Sequence, residues 1–217
     1  MMNRKGTDYS KIADRYDENP IRHRIETDPD IGKLLEKSSG DVQILDLACG
    51  TGIYIVEQRK IYPTDQIQWH GIDLSDAMLE KARRKLSDID LLVGNAETLP
   101  YDDSFFDLVV CRYAFHHFED KSAVLKEVAR ILRPDGIFRM ENICPEHMSR
   151  SWVYNYFPET KRVDEDRFWN AYAIFDALSE CGFEIRININ CTIVQLKNMT
   201  MTSSSKKLSF ATCPSST

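Results

Sequence analysis

The sequence predicts an α/β fold, a doubly wound and mainly parallel sheet with helices on both faces. Three observations predict it. Short apolar runs alternate with helical periods through most of the chain. One run, in Ile44-Leu-Asp-Leu-Ala-Cys-Gly-Thr-Gly52, ends in a glycine-rich turn. The next ends on a carboxylate, in Gly71-Ile-Asp73, about twenty residues later. In an open α/β sheet both ends lie at the edge where ligands bind.

The elements follow in order. Residues 9–16 read as a short amphipathic helix, and residues 28–37 as another, capped by Asp28 with Pro29 at its first position. Strand one spans 42–47 and its helix runs from Gly52 to Ile61. Strand two spans 67–72, and Ser75 caps a helix that reaches Leu86. Strand three covers 90–94 and strand four 106–111. The helix over 120–132 carries Val124, Leu125, Val128, Ile131 and Leu132 on one stripe. A turn at Pro134-Asp-Gly136 starts strand five, 136–142. An aromatic-rich stretch over 143–164 reads as a lid or wall over a substrate pocket, or as a satellite hydrophobic cluster with no ligand role. A helix over 165–181 and a strand over 183–189 follow, and 191–196 could supply an antiparallel partner. The turn between these last two strands is poorly signalled, so the far edge of the sheet is open. From Asn198 the composition turns polar and aperiodic, which reads as a disordered tail. One domain over 1–197 is expected, with residues 1–40 as a helical cap.

The length of 217 residues suits a single domain, and 42% apolar residues suffice for a core. Lys and Arg number 28 against 34 Asp and Glu, a net charge of −6. That weighs against a nucleic-acid partner, which needs clustered cations. No apolar run approaches the ~18 residues of a spanning helix, and no leader is visible, so a cytoplasmic protein away from membranes is expected. Cys49, Cys111, Cys144, Cys181, Cys191 and Cys213 show no C-x-x-C spacing, so no metal site is expected.

The glycines let a ligand lie against the backbone, and Asp73 can accept from the two hydroxyls of a ribose. A dinucleotide loop has a third glycine where Ile55 stands here. Asp46 also puts an acid where a pyrophosphate would sit. That charge suits an ammonium or sulfonium group. S-adenosylmethionine carries both, with an adenosine for Asp73. The competing reading is that Asp46 and the glycines only shape a tight turn.

In these stretches the chain resembles the class I S-adenosylmethionine-dependent methyltransferases of small-molecule type, the ubiquinone/menaquinone C-methyltransferase group among them. The resemblance rests on residues 44–52, on Gly71-Ile-Asp73-Leu-Ser-Asp-Ala-Met78, on Gly94-Asn-Ala-Glu-Thr-Leu-Pro100, on Phe105-Phe-Asp-Leu-Val-Val110 and on Leu132-Arg-Pro-Asp-Gly136, in that order. It implies a Rossmann-like sheet of the seven-stranded type and S-adenosyl-L-homocysteine as product. It also implies roles. Ala48, Gly50 and Gly52 would line the methionine part beside Asp46. Leu74 and Met78 would pack on the adenine, and Asn95-Ala96 would meet its edge. Cys111 and Arg112 would lie beside the transferring methyl. Tyr16, with Tyr9, resembles a cap residue that closes over the cofactor.

In-line methyl transfer chiefly needs alignment of donor and acceptor. A base could still help, and His116 and His117 leave strand four at the ligand edge. Both could equally pack beneath the cofactor. Arg22, His23 and Arg24 could meet an anionic substrate or form a solvated turn. The leading reading is methyl transfer to an O, N or C atom of a small molecule by a monomer or homodimer. The alternatives are a tRNA wobble-base methyltransferase, which the stretch from Leu99 to Phe118 also resembles, and a catalytically silent cofactor-binding domain.

Overall fold

A computed structural model describes residues 9–142, 153–188 and 193–198. Five parallel strands form most of the sheet: β1 (Val42–Leu47), β2 (Ile67–Asp73), β3 (Asp90–Val93), β4 (Phe106–Arg112) and β5 (Leu132–Glu141). β6 (Phe183–Asn188) and β7 (Ile193–Asn198) extend it as an antiparallel pair. The order is β3-β2-β1-β4-β5-β7-β6. The chain starts in the middle at β1, winds outward to β3, then returns to β4 on the other side. That reversal between β1 and β4 is where a doubly wound sheet opens a crevice.

The helices are α1 (Ala13–Tyr16), α2 (Pro29–Lys37), α3 (Ile53–Ile61), α4 (Asp76–Lys85), α5 (Lys121–Ile131), α6 (Val153–Tyr156), α7 (Pro158–Arg167) and α8 (Ala171–Glu180). Their starts are chemical. Asp28 accepts from the Asp30 N–H ahead of α2, Ser75 from Met78 ahead of α4, and Asp120 from Ala123 ahead of α5. Alternating strand residues fill two cores. Ile44, Leu108 and Val110 pack with Ile31 of α2, Ile55 of α3 and Leu79 of α4. Leu45, Val109 and Cys111 pack on the other face with Val124 and Val128 of α5 and Leu178 of α8. No helix among the described residues is long and apolar enough to cross a membrane.

The structure redraws several boundaries. Residues 9–16 form a 3-10 turn (Tyr9–Lys11) followed by α1, instead of one helix. The helix expected over 165–181 is two helices. Phe168 turns into the core, and Asn170 caps α8 by accepting from Ala173. β5 begins at Leu132 instead of Gly136, because the Pro134-Asp135 turn is absorbed as a bulge where pairing skips from Leu132 to Ile137. Asn198 pairs with Phe183, so the sheet runs one residue into the expected tail. The cysteines at 144, 191 and 213, residues 143–152 of the aromatic stretch and tail residues 199–217 lie outside the described residues.

Candidate active site

The carboxyl ends of the parallel strands converge on one cavity of about 780 Å³, within the range of small-ligand sites. Leu47, Asp73, Gly94 and Arg112 bring β1, β2, β3 and β4 to its wall. Tyr9 and Tyr16 line it from the N-terminal segment.

Asp73 is the best-anchored side chain there. The Gly50 N–H donates to its Oδ2 and the Ser75 N–H to its Oδ1, each across 2.8 Å. Burial pushes this carboxyl up, and the N–H groups of Ser75, Gly50 and Leu74 pull it back. Each carboxylate oxygen has capacity for a further donor. A vicinal diol arriving in the cavity can therefore still donate to both.

The turn before α3 is left-handed three times, at Ala48 (φ 58°), Gly50 (φ 55°) and Gly52 (φ 73°). Ala48 and Gly50 line the cavity, and Gly52 does not. Gly52 has a packing duty instead. A Cβ on it would stand 2.6 Å from Leu86 Cδ1 and 3.3 Å from Ala82 Cβ, so a side chain there would have to displace Leu86 while holding a left-handed backbone, and glycine avoids both costs. Ile55, in the third position of a dinucleotide loop, is fully buried in the core.

Asp46 also lies behind the wall and not in it. It is 3% exposed, on a strand flanked by Gly71 and Val110. Burial pushes its carboxyl up to about 8, against the pull of Arg112, with Asp73 and Glu141 adding to the rise. The acid expected to meet an ammonium or sulfonium is thus a buried group that stays largely protonated near neutrality.

Leu74 and Met78 flank the cavity in different ways. Leu74 is 74% exposed, an apolar side chain left in the open at the mouth, whereas Met78 is buried under Gly50. Asn95 and Ala96 line the same end. The Asn95 amide oxygen already accepts from the Glu97 N–H at 3.0 Å.

At the other end Arg112 donates from Nε to Glu141 Oε2 across 2.6 Å. Arg139 holds the second oxygen of Glu141 at 3.4 Å and pairs with Asp28 at 2.9 Å. Tyr54 donates to the remaining oxygen of Asp28 at 2.7 Å. A buried chain of charges thus ties α2, α3 and β5 to the arginine at the cavity.

Cys111 and His116 are not cavity residues. Cys111 was expected beside the methyl group, but strand alternation turns it into the core under α5, where burial pushes its thiol up. His116 stacks on Phe168 (ring centroids 4.2 Å apart), and its Nδ1 meets Asn142 Oδ1 at 2.9 Å. Burial lowers it to about 4 despite the Asn142 bond. His117 does line the cavity, and its Nε2 lies 2.6 Å from the Tyr9 hydroxyl. Burial, then the neighbouring His116, Arg167 and Lys121, lower it to about 3. Both rings are neutral near pH 7, and both are weak bases.

Arg22, His23 and Arg24 were open to an anionic ligand. Arg22 instead stacks over the Tyr16 ring at 3.4 Å and donates to the Tyr16 carbonyl, and His23 meets the Asp17 carbonyl. Sequence reasoning missed Tyr113, Phe118, Glu119 and Glu97 of the lining. The signal for them was position: each follows closely on the end of a parallel strand.

Comparison with known proteins places this geometry. Residues 45–140 match the family described as a methyltransferase domain. Over that stretch the chain is similar to a methyltransferase domain. It is 30% identical over 166 residues to the uncharacterized methyltransferase YcgJ of Bacillus subtilis, covering 73% of this chain and 58% of that one. It is 32% identical over 120 residues to the demethylmenaquinone methyltransferase of Thermotoga maritima, covering 54% of this chain and 52% of the relative. This chain therefore spans little more than half the length of these relatives. The fold matches an S-adenosylmethionine-dependent methyltransferase from Aquifex aeolicus with a TM-score of 0.65 at 16% identity, over 87% of this chain and 96% of that one. The domain spans the glycine turn, Asp73 and the strand ends that build the cavity. Their donor set fits the cofactor: a carboxylate for a diol, a left-handed turn for close backbone approach, and exposed Leu74 for a flat base.

Proposed function

We propose that this protein transfers a methyl group from S-adenosylmethionine to a small-molecule acceptor. The observation that carries the reading is the Asp73 carboxylate, aimed into the cavity edge by the Gly50 and Ser75 N–H groups. When bound, the cofactor supplies an already activated methyl on its sulfonium. Asp73 would hold the ribose hydroxyls. Leu74, Met78 and Ala96 would sandwich the base, and Ala48 and Gly50 would offer backbone groups to the amino-acid end. Tyr9 and Tyr16 would roof the site and exclude water. His117 and Tyr9 would act as a hydrogen-bonded pair on the acceptor side, orienting a nucleophile more than removing its proton, since a group so acidic is a poor base. No metal is needed for a displacement of this kind.

A small acceptor is favoured over tRNA by the charge of the lining. Asp73, Asp76, Glu97 and Glu119 face Arg112, whose Nε is already paired with Glu141. Such a wall repels a phosphate backbone. Cys49, Cys111 and Cys181 are free thiols, which fits a reducing compartment such as the cytoplasm.

Calorimetric titration with S-adenosylmethionine and its demethylated product tests the donor half; absence of heat from folded protein would refute it. Incubation with labelled donor and a metabolite extract, beside bulk tRNA, tests the acceptor half. Label in a small molecule supports the proposal. Label in tRNA, or none at all, favours the two other readings.

A further inference from the structure

We propose that Asp17 is a positioning residue that clamps the roof of the cavity to the glycine turn, so that closure of the roof and binding of the methyl donor are coupled. The inference rests on the methyltransferase reading and adds a regulation of the same site.

The roof is the segment from Tyr9 to Tyr16, and Asp17 follows it directly. Its Oδ1 accepts from the Thr51 hydroxyl at 2.5 Å, and its Oδ2 from Lys85 Nζ at 2.6 Å. Burial opposes ionisation of Asp17, but the bonds from Lys85 and Thr51 outweigh it and hold the carboxyl below the usual range. Thr51 is itself buried, at 1% exposure, between Gly50 and Gly52. Gly50 donates to Asp73. One line of contacts therefore runs from Tyr16 through Asp17 and Thr51 to the carboxylate that would hold the ribose.

α1 buries little apolar surface. Ala13 is the only buried side chain of α1. Other hooks include Asp14 on Lys81, Tyr9 on His117, and Arg22, which stacks over the Tyr16 ring and donates to the Tyr16 carbonyl. The Asp14–Lys81 pair is exposed on the Asp14 side, and such pairs contribute about 0–1 kcal/mol; with so little apolar surface buried, α1 belongs to the part of the fold that opens readily. Thr51 differs from those hooks because it belongs to the turn itself. A ligand that settles Gly50 and Asp73 settles the Thr51 hydroxyl, and the hydroxyl settles Asp17. Whatever favours one end of that line must favour the other to the same degree.

The test uses the full chain and four variants: Asp17→Asn, Thr51→Val, the two combined, and Thr51→Ser. Donor affinity is read by calorimetry, and steady-state rates separate KM for the donor from kcat. Asp17→Asn and Thr51→Val should each weaken donor binding about five- to tenfold, within the usual range of coupling factors. KM should rise while kcat holds or increases. The double variant should be no weaker than either single one, and Thr51→Ser should bind like the parent. Hydrogen exchange without ligand should show residues 12–18 and 49–53 losing protection together in Asp17→Asn. Parent-like affinity in Asp17→Asn and Thr51→Val, or additive losses in the double variant, would overturn the clamp. If the parent itself gives no heat with the donor, the methyltransferase reading falls. Exchange then decides the clamp: joint loss of protection upholds it, and loss confined to residues 12–18 overturns it.

Discussion

The Gly50 N–H and the Asp73 carboxylate are joined across 2.8 Å, although 23 residues separate them in the chain. That bond ties the turn after β1 to the end of β2. It fixes the carboxylate before any ligand arrives. Preorganisation of this kind lowers what binding must order.

Asp73→Asn should therefore weaken the cofactor strongly. A hydrogen bond to a charged group contributes about 1.5–3 kcal/mol, or roughly ten- to hundredfold in affinity. Calorimetry with S-adenosyl-L-homocysteine measures it. An unchanged affinity would remove Asp73 from the ribose role.

His116 and His117 set a pH dependence with a definite sign. Burial lowers them in the folded state to about 4 and about 3, whereas an unfolded histidine titrates near ~6.5. Below that value the unfolded chain binds protons that the folded chain refuses, so stability is complete above it and is lost as the pH falls toward 4 and 3. Urea unfolding at pH 7.5 and pH 5 should show the loss. The His116→Gln, His117→Gln double variant should lose less between those two pH values. A loss as large as the parent's would place the effect elsewhere.

Asp46 acts in the opposite sense. Its folded carboxyl titrates at about 8, well above the ~3.9 of an unfolded aspartate. Ionisation favours the unfolded state from about pH 4 upward, increasingly up to pH 8. Asp46→Asn should thus raise the thermal midpoint of the ligand-free protein, and more at pH 8 than at pH 6. Equal or negative shifts at the two pH values would show that Asp46 is ionised in the native state.

The Arg139–Asp28 pair is buried on both sides, at 9% and 1% side-chain exposure. Removing one partner of such a pair costs about 3–5 kcal/mol, because the other is left uncompensated. Arg139→Met should destabilise by that order in urea unfolding. It should also lower methyl-transfer activity in whatever protein remains folded, since Glu141 then holds Arg112 alone. A loss under ~1 kcal/mol would mean that Glu141, Tyr54 and local relaxation compensate.

The sequence by itself determined the parallel sheet, the helix caps at Asp28 and Ser75, and the Gly50–Asp73 half of the cavity. These signals are local. Apolar runs mark buried strands, a short polar side chain marks a helix start, and glycine marks a turn that other residues resist. Only the tertiary structure decided which side of each strand faced the cavity. Cys111 and Arg112 are neighbours in sequence, yet alternation sends one into the core and the other to the wall. Tyr9 meets His117 across 108 residues, and Arg139 meets Asp28 across 111. Such pairings leave no local trace, because they depend on how the N-terminal segment and α2 settle on a sheet that must already exist.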